Sequence, residues 1–270
     1  MTENEGNYAE INGLKMYYEI HGTGEPLILL HGGFGLTGMF GDLLPRLAEG
    51  RQVITVDLQA HGRTVDIDRP LSLKTMGDDV AALIEHLGFT QADLMGYSMG
   101  GGAALRAAIQ HPELVRKLVV VSFPFRRDGW YPEISASMDR MSAISAEFMK
   151  DTPMYEAYVR VAPDPDHFPV LCDKMSAMLG RDYDWSTEVA SLAVPTMLVY
   201  GDADSVPPAH AAEFFRLLGG GKRDAGWDGS GMPNAQLAIL PGTTHYNSFA
   251  SPALAPAVIP FLDAPMSEAK

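Results

Sequence analysis

The sequence predicts an α/β fold: a mostly parallel sheet flanked by helices, with an inserted helical cap. Two observations predict it. Short, uninterrupted apolar runs recur at Pro26 to Leu30, Val53 to Val56, Ala92 to Gly96, Leu118 to Val121, Thr196 to Tyr200 and Leu237 to Leu240, and segments of helical spacing separate several of them. A single long stretch, 123–192, contains no such run. Apolar runs of this length suit strands covered on both faces, as in a parallel sheet, and strands alternating with helices imply right-handed crossovers.

Each element has its own signal. Lys15 to His21 is rich in β-formers, and Asn12-Gly13 just before it is a hairpin turn pair. Met76, Val80, Leu83, Ile84 and Leu87 recur at helical spacing, with Gly88 as the stop. Ala103 to Gln110 reads as a helix ended by His111-Pro112. Ala209 to Leu218 reads as another, opened by Pro207-Pro208 and ended by Gly219. In the stretch 123–192, Met138, Met141, Met149, Met154, Met175 and Met178 sit among helix formers and proline turns. Residues 1–122 and 193–270 are therefore expected to form one core, with 123–192 inserted as the cap. The glycine-dense run 219–234 reads as a mobile surface loop.

Composition narrows the partners. Twenty Lys plus Arg against 34 Asp plus Glu give a net charge of −14, opposite to the basic excess that binds phosphate backbones, so nucleic acid is not expected. No apolar run approaches the roughly 18 to 20 residues of a membrane-spanning helix. The polar, acidic opening MTENEGNYAE lacks the pattern of a secretory signal. Cys172 is the one cysteine, which removes intrachain disulfides and Cys-based zinc sites and makes the cytoplasm the expected compartment. Cys172 itself reads as a small packed residue. No H-E-x-x-H, G-K-[ST] or dinucleotide fingerprint is present, so neither a metal nor any other cofactor is expected.

The segment LMGYSMGGG, Leu94 to Gly102, carries the chemistry. It places G-x-S-x-G (Gly96, Ser98, Gly100) directly after an apolar run and directly before a helical pattern. A serine on a sharp strand-to-helix turn is held with its hydroxyl exposed, and side chains two residues before or after it would collide. A serine hydroxyl needs an adjacent base, itself oriented by a third group, to act as a nucleophile near neutral pH.

Five motifs in one order make the chain resemble the α/β-hydrolase fold superfamily. They are His31-Gly32-Gly33-Phe34-Gly35, DLQAHGRT at Asp57 to Thr64, the GYSMGG turn, GDADSVP at Gly201 to Pro207, and PGTTH ending at His245. Within the superfamily the pattern looks like the smaller serine hydrolases that include esterases, cofactor-free haloperoxidase-like perhydrolases and carbon–carbon bond hydrolases. The resemblance implies an eight-stranded sheet and a catalytic set in the order Ser, acid, His. Ser98 then takes His245 as base and Asp204 as acid, since G-x-x-D from Gly201 ends on Asp204, and Asp202 is expected in a turn or cap. It further implies an oxyanion hole made of the Met99 amide and a second amide from Gly33 or Phe34. His31 is expected to support that loop and His61 to be structural, while His21, His86, His111, His167 and His210 have no motif that recommends them.

The expected activity is hydrolysis of a small, apolar carboxylic ester or lactone through an acyl-Ser98 intermediate. Carbon–carbon cleavage or perhydrolysis by the same residues stays open, as does a receptor of this fold without turnover. Epoxide and haloalkane hydrolases of this fold use an aspartate where Ser98 stands. Phe123, Trp130, Met138, Met154, Tyr158 and Trp185 are expected to line the substrate pocket. The stretch 123–190 carries 12 acidic and 7 basic residues, which disfavours anionic substrates unless Arg126, Arg127 or Arg160 clamps them.

Overall fold

A computed structural model describes residues 6–266. The first half of the polar opening, residues 1–5, lies outside the described residues, as does 267–270. The chain begins with a hairpin, β1 (Asn7–Ile11) and β2 (Leu14–His21), whose turn is the expected Asn12-Gly13 pair with φ of 49° and 83°. Positive φ at both positions gives the turn whose twist matches paired strands. Next come β3 (Glu25–Leu30), α1 (Leu43–Ala48), β4 (Arg51–Val56), α2 (Leu73–His86), β5 (Ala92–Tyr97), α3 (Met99–Gln110) and β6 (Val115–Val121). Five helices then follow one another before the sheet resumes: α4 (Pro132–Asp139), α5 (Ser145–Met149), α6 (Pro153–Val161), α7 (Phe168–Leu179) and α8 (Ser186–Ala190). The chain closes with β7 (Thr196–Ala203), α9 (Pro208–Leu217), β8 (Ala235–Thr244) and α10 (Leu254–Asp263).

The eight strands form one sheet in the order β1-β2-β4-β3-β5-β6-β7-β8, parallel from β4 to β8 and antiparallel only at the first hairpin and its junction with β4. All six apolar runs are strands in it. Their side chains alternate between two cores: Ile28 and Leu30 face the layer containing α2, α3 and α9, while Leu27 and Leu29 face the layer containing α1 and α10. Nearly every position of the runs in β3 to β7 is therefore buried, which removes polar residues from the pattern, whereas β8 at the sheet edge leaves Ile239 exposed.

The sequence signals missed α10. Pro256 and Pro260 interrupt its helical pattern, yet Leu254, Val258, Phe261 and Leu262 are buried against the sheet. Each such side chain contributes about 1.5–3 kcal/mol by leaving water. The Lys117 ammonium, reaching from β6, donates to the Phe261 and Leu262 carbonyls at 2.8 and 2.9 Å and closes the helix C-terminus.

The helical stretch between β6 and β7 departs and returns at one place. Arg126 and Asp184 form an antiparallel bridge, flanked by Arg127 N–H donating to Tyr183 O (2.8 Å) and Trp185 N–H donating to Phe125 O (3.1 Å). Residues 218–234, between α9 and β8, are irregular, and Trp227 stands fully exposed there.

Candidate active site

Ser98 joins β5 to α3 with φ 51° and ψ −122°, a conformation that L side chains rarely adopt. The glycines on either side are steric requirements. A Cβ on Gly96 would stand 2.0 Å from the Gly100 carbonyl oxygen, and one on Gly100 would stand 2.4 Å from the His31 oxygen and 2.6 Å from that of Leu30. The spacing seen in the sequence thus records how closely the turn is packed against β3.

His245, just past the end of β8, lies between Ser98 and Asp204. Its Nε2 is 3.1 Å from Ser98 Oγ and its Nδ1 is 3.0 Å from Asp204 Oδ1. A carboxylate only accepts, so Nδ1 carries the proton toward Asp204 and Nε2 is left to accept from the Ser98 hydroxyl. The Asp204 side chain is fully buried and that of His245 is 11% exposed. Burial alone would push the Asp204 carboxyl up. Hydrogen bonding and charge from His245, the Ser122 hydroxyl (2.5 Å) and the Gly201 N–H (3.1 Å) outweigh burial and hold it below the ordinary range. Ser205 N–H adds a further donor at 2.7 Å. Ser122, which no sequence motif marked, is itself at φ 56° and fully buried at the end of β6.

Asp202 does not reach His245. Its two oxygens accept from Gly242 N–H (3.0 Å) and Thr243 N–H (3.1 Å), which clamps the bend before His245. His31 donates from Nδ1 to Gly32 O (2.7 Å) and accepts at Nε2 from Leu58 N–H (3.1 Å), tying the glycine-rich loop to the end of β4. His61 is buried and bonds the Gln59 carbonyl at 2.8 Å.

Ser98 opens into a cavity of about 1040 Å³ with mainly apolar walls, at the upper limit of the size range of small-molecule sites. Gly33, Phe34, Met99, Phe123, Trp130, Met138 and Met154 line it, together with His245. Two expected pocket residues do not. Tyr158 packs its ring on Phe168 at 5.0 Å, and Trp185 clusters with Phe123 (5.9 Å) and Tyr183 (4.7 Å), with Arg106 on its face. None of the three arginines that could clamp an anionic substrate lines the cavity: Arg126 is paired with Glu213 and Asp128, Arg127 is paired with Asp139, and Arg160 is absent from the lining. Sequence reading also missed one wall, formed by Met39, Leu43, Arg46, Phe249 and Ala255 from α1, α10 and the segments leading into them.

Both oxyanion candidates lie beside Ser98. The Met99 amide is in the first turn of α3, where N–H groups have no intrahelical acceptor, and Gly33 and Phe34 form the facing loop. Among the described residues no group of three or more His, Cys, Asp or Glu side chains is arranged to hold a metal ion. No helix among them is long and apolar enough to cross a membrane. Cys172 is buried, which pushes its thiol up to about 11.

The serine turn between β5 and α3, the parallel sheet and the order of elements define a hydrolase fold of the α/β class. The chain belongs to the alpha/beta hydrolase fold family, whose sequence model matches residues 25–225. A 2-hydroxymuconate semialdehyde hydrolase from a Pseudomonas strain is 31% identical over 73% of this chain and 76% of its own length. A pimeloyl-[acyl-carrier protein] methyl ester esterase from Neisseria meningitidis is 30% identical over 71% and 80%. The crystal structure of E-2-(acetamidomethylene)succinate hydrolase superposes with a TM-score of 0.75 at 21% identity, covering 96% of this chain and 99% of that one. The chain is thus a hydrolase of this family, and its relatives cleave more than one kind of bond.

Proposed function

We propose that the protein hydrolyses carboxylic esters or lactones through an acyl-Ser98 intermediate. The observation that supports this reading is the line from Ser98 Oγ through His245 to Asp204, at 3.1 and 3.0 Å, on the wall of a large apolar cavity. Ser98 Oγ attacks the carbonyl carbon while His245 Nε2 takes its proton. The tetrahedral oxygen is received by the Met99 amide and that of Gly33 or Phe34. The imidazolium, steadied by Asp204, returns the proton to the leaving alkoxide, and water repeats the sequence to free the acid. The stretch 123–192 acts as a cap. It supplies Trp130, whose ring meets His245 edge-on at 5.6 Å and shields it from solvent.

Carbon–carbon bond cleavage by the same residues is a second reading, favoured by the 31% identity to a semialdehyde hydrolase. Side-by-side assay of p-nitrophenyl esters, lactones and vinylogous diketones separates the two. Stoichiometric labelling of Ser98 by a fluorophosphonate, lost in Ser98→Ala, is expected under both, and absence of labelling near neutral pH overturns both.

A further inference from the structure

The cavity has an unusual wall. Met99, Met138, Met141, Met149, Met154 and Met175 all line it, five of them from the stretch between β6 and β7. Four of these, Met138, Met141, Met149 and Met154, pack against the hydrophobic core yet remain only half-buried, because one side of each faces the cavity. Met175 is buried and reaches the candidate oxyanion loop: a Cβ on Gly33 would lie 2.7 Å from its terminal methyl. The apolar wall therefore continues up to the reacting atoms.

Methionine is unbranched, has three rotatable side-chain bonds and carries a polarizable sulfur, so a wall built of it reshapes around a flexible guest. A rigid, planar or branched substrate would be held better by aromatic and β-branched side chains of fixed shape. No charged side chain lies on this wall, since the cavity's Asp42 and Arg46 belong to the α1 side and are exposed.

We propose that this wall seats a long, unbranched, uncharged acyl chain, so that the substrate class is a medium- to long-chain fatty acyl ester. The proposal rests on the serine-esterase reading. Met175 and Met99 flank the carbonyl end of the chain, and Met138, Met141, Met149 and Met154 receive its methylenes.

Two measurements test it. In the first, kcat/KM is determined for p-nitrophenyl acetate, butyrate, hexanoate and decanoate. It is expected to climb by about threefold to fourfold for each early methylene, the factor corresponding to about 0.8 kcal/mol per buried CH₂. Met154→Trp, which shortens the chamber, is expected to lower the decanoate-to-acetate ratio at least tenfold. Acetate turnover without any gain for longer chains overturns the chamber and leaves the esterase reading standing. The second measurement needs no turnover: calorimetric titration with methyl nonyl ketone. Micromolar binding that weakens in Met154→Trp supports the chamber even if no ester is hydrolysed. Absence of binding by the wild-type protein overturns it.

Discussion

The Tyr97 hydroxyl donates to the backbone carbonyl of His245 at 2.6 Å, joining the residue beside the candidate nucleophile to the candidate base 148 positions later in the chain. The two rings also lie 5.1 Å apart, and Phe249 packs on Tyr97 at 4.3 Å. Removing the donor while keeping the ring isolates the tether. Tyr97→Phe is expected to lower kcat about five- to tenfold with little change in KM, because a hydrogen bond contributes about 1 kcal/mol net. Steady-state kinetics check this, and a thermal midpoint within about 4 °C of wild type shows that the fold is intact.

The two acids of the GDADSVP motif are expected to separate cleanly. Asp204→Asn should lower kcat by about 10³- to 10⁴-fold, since His245 loses the acceptor that sets its tautomer. Asp202→Asn, which weakens only the clamp on Gly242 and Thr243, should lower stability slightly and leave kcat within a few-fold. Turnover and denaturant unfolding of both variants decide it, and the reverse pattern would reassign the acid.

Ser122 joins a strained backbone to a hydrogen bond on Asp204. Ser122→Ala is expected to lose about 1.5–3 kcal/mol, the range for a bond to a charged group, together with activity. Ser122→Gly accepts φ 56° without strain, so stability should recover in part while kcat does not. Parallel unfolding and kinetic measurements separate the two contributions.

Gly100→Ala drives a methyl into the Leu30 and His31 carbonyls. It is expected to prevent accumulation of folded protein, or to destabilise it by more than about 3 kcal/mol. Soluble yield and circular dichroism report the outcome.

Three buried histidines make the fold acid-labile. Burial pushes His31 down to about 3 and His61 and His210 to about 4, with repulsion between the His31 and His61 rings when protonated adding to the shift of His31 and the charge of Arg126 to the shift of His210. These groups stay neutral in the fold but bind protons in the unfolded chain below about pH 6.5. Stability is therefore present above that pH and lost as pH falls from 6.5 toward 4. Thermal melts across this window should show a falling midpoint, and His210→Gln, which removes one proton from the linkage, should flatten the slope.

Local chemistry was legible in the sequence and tertiary direction was not. The turn at Ser98 shows because its glycines are demanded by atoms within a few residues and by one neighbouring strand. The choice of Asp204 over Asp202, drawn from motif position, agrees with which of the two faces His245. Tyr158 and Trp185 were misread as pocket walls because aromatic content says nothing about which way a ring points, and both turn toward other aromatic rings. The wall from Phe249 to Ala255 escaped notice because prolines hide α10, which orders that segment. Ser122 carries no motif because its role depends on a contact across 82 positions.

The antiparallel bridge between Arg126 and Asp184 has a consequence for how this chain can change. A segment whose two ends meet side by side is topologically a plug: it can be lengthened, shortened or exchanged without altering the distance its neighbours must span. All four helices it contains, α4 to α7, bear methionines, whereas Ser98, Asp204 and His245 all lie outside it. A chimera that receives the corresponding stretch of a relative at this stem should keep its sheet and its serine turn while inheriting a different molecular appetite.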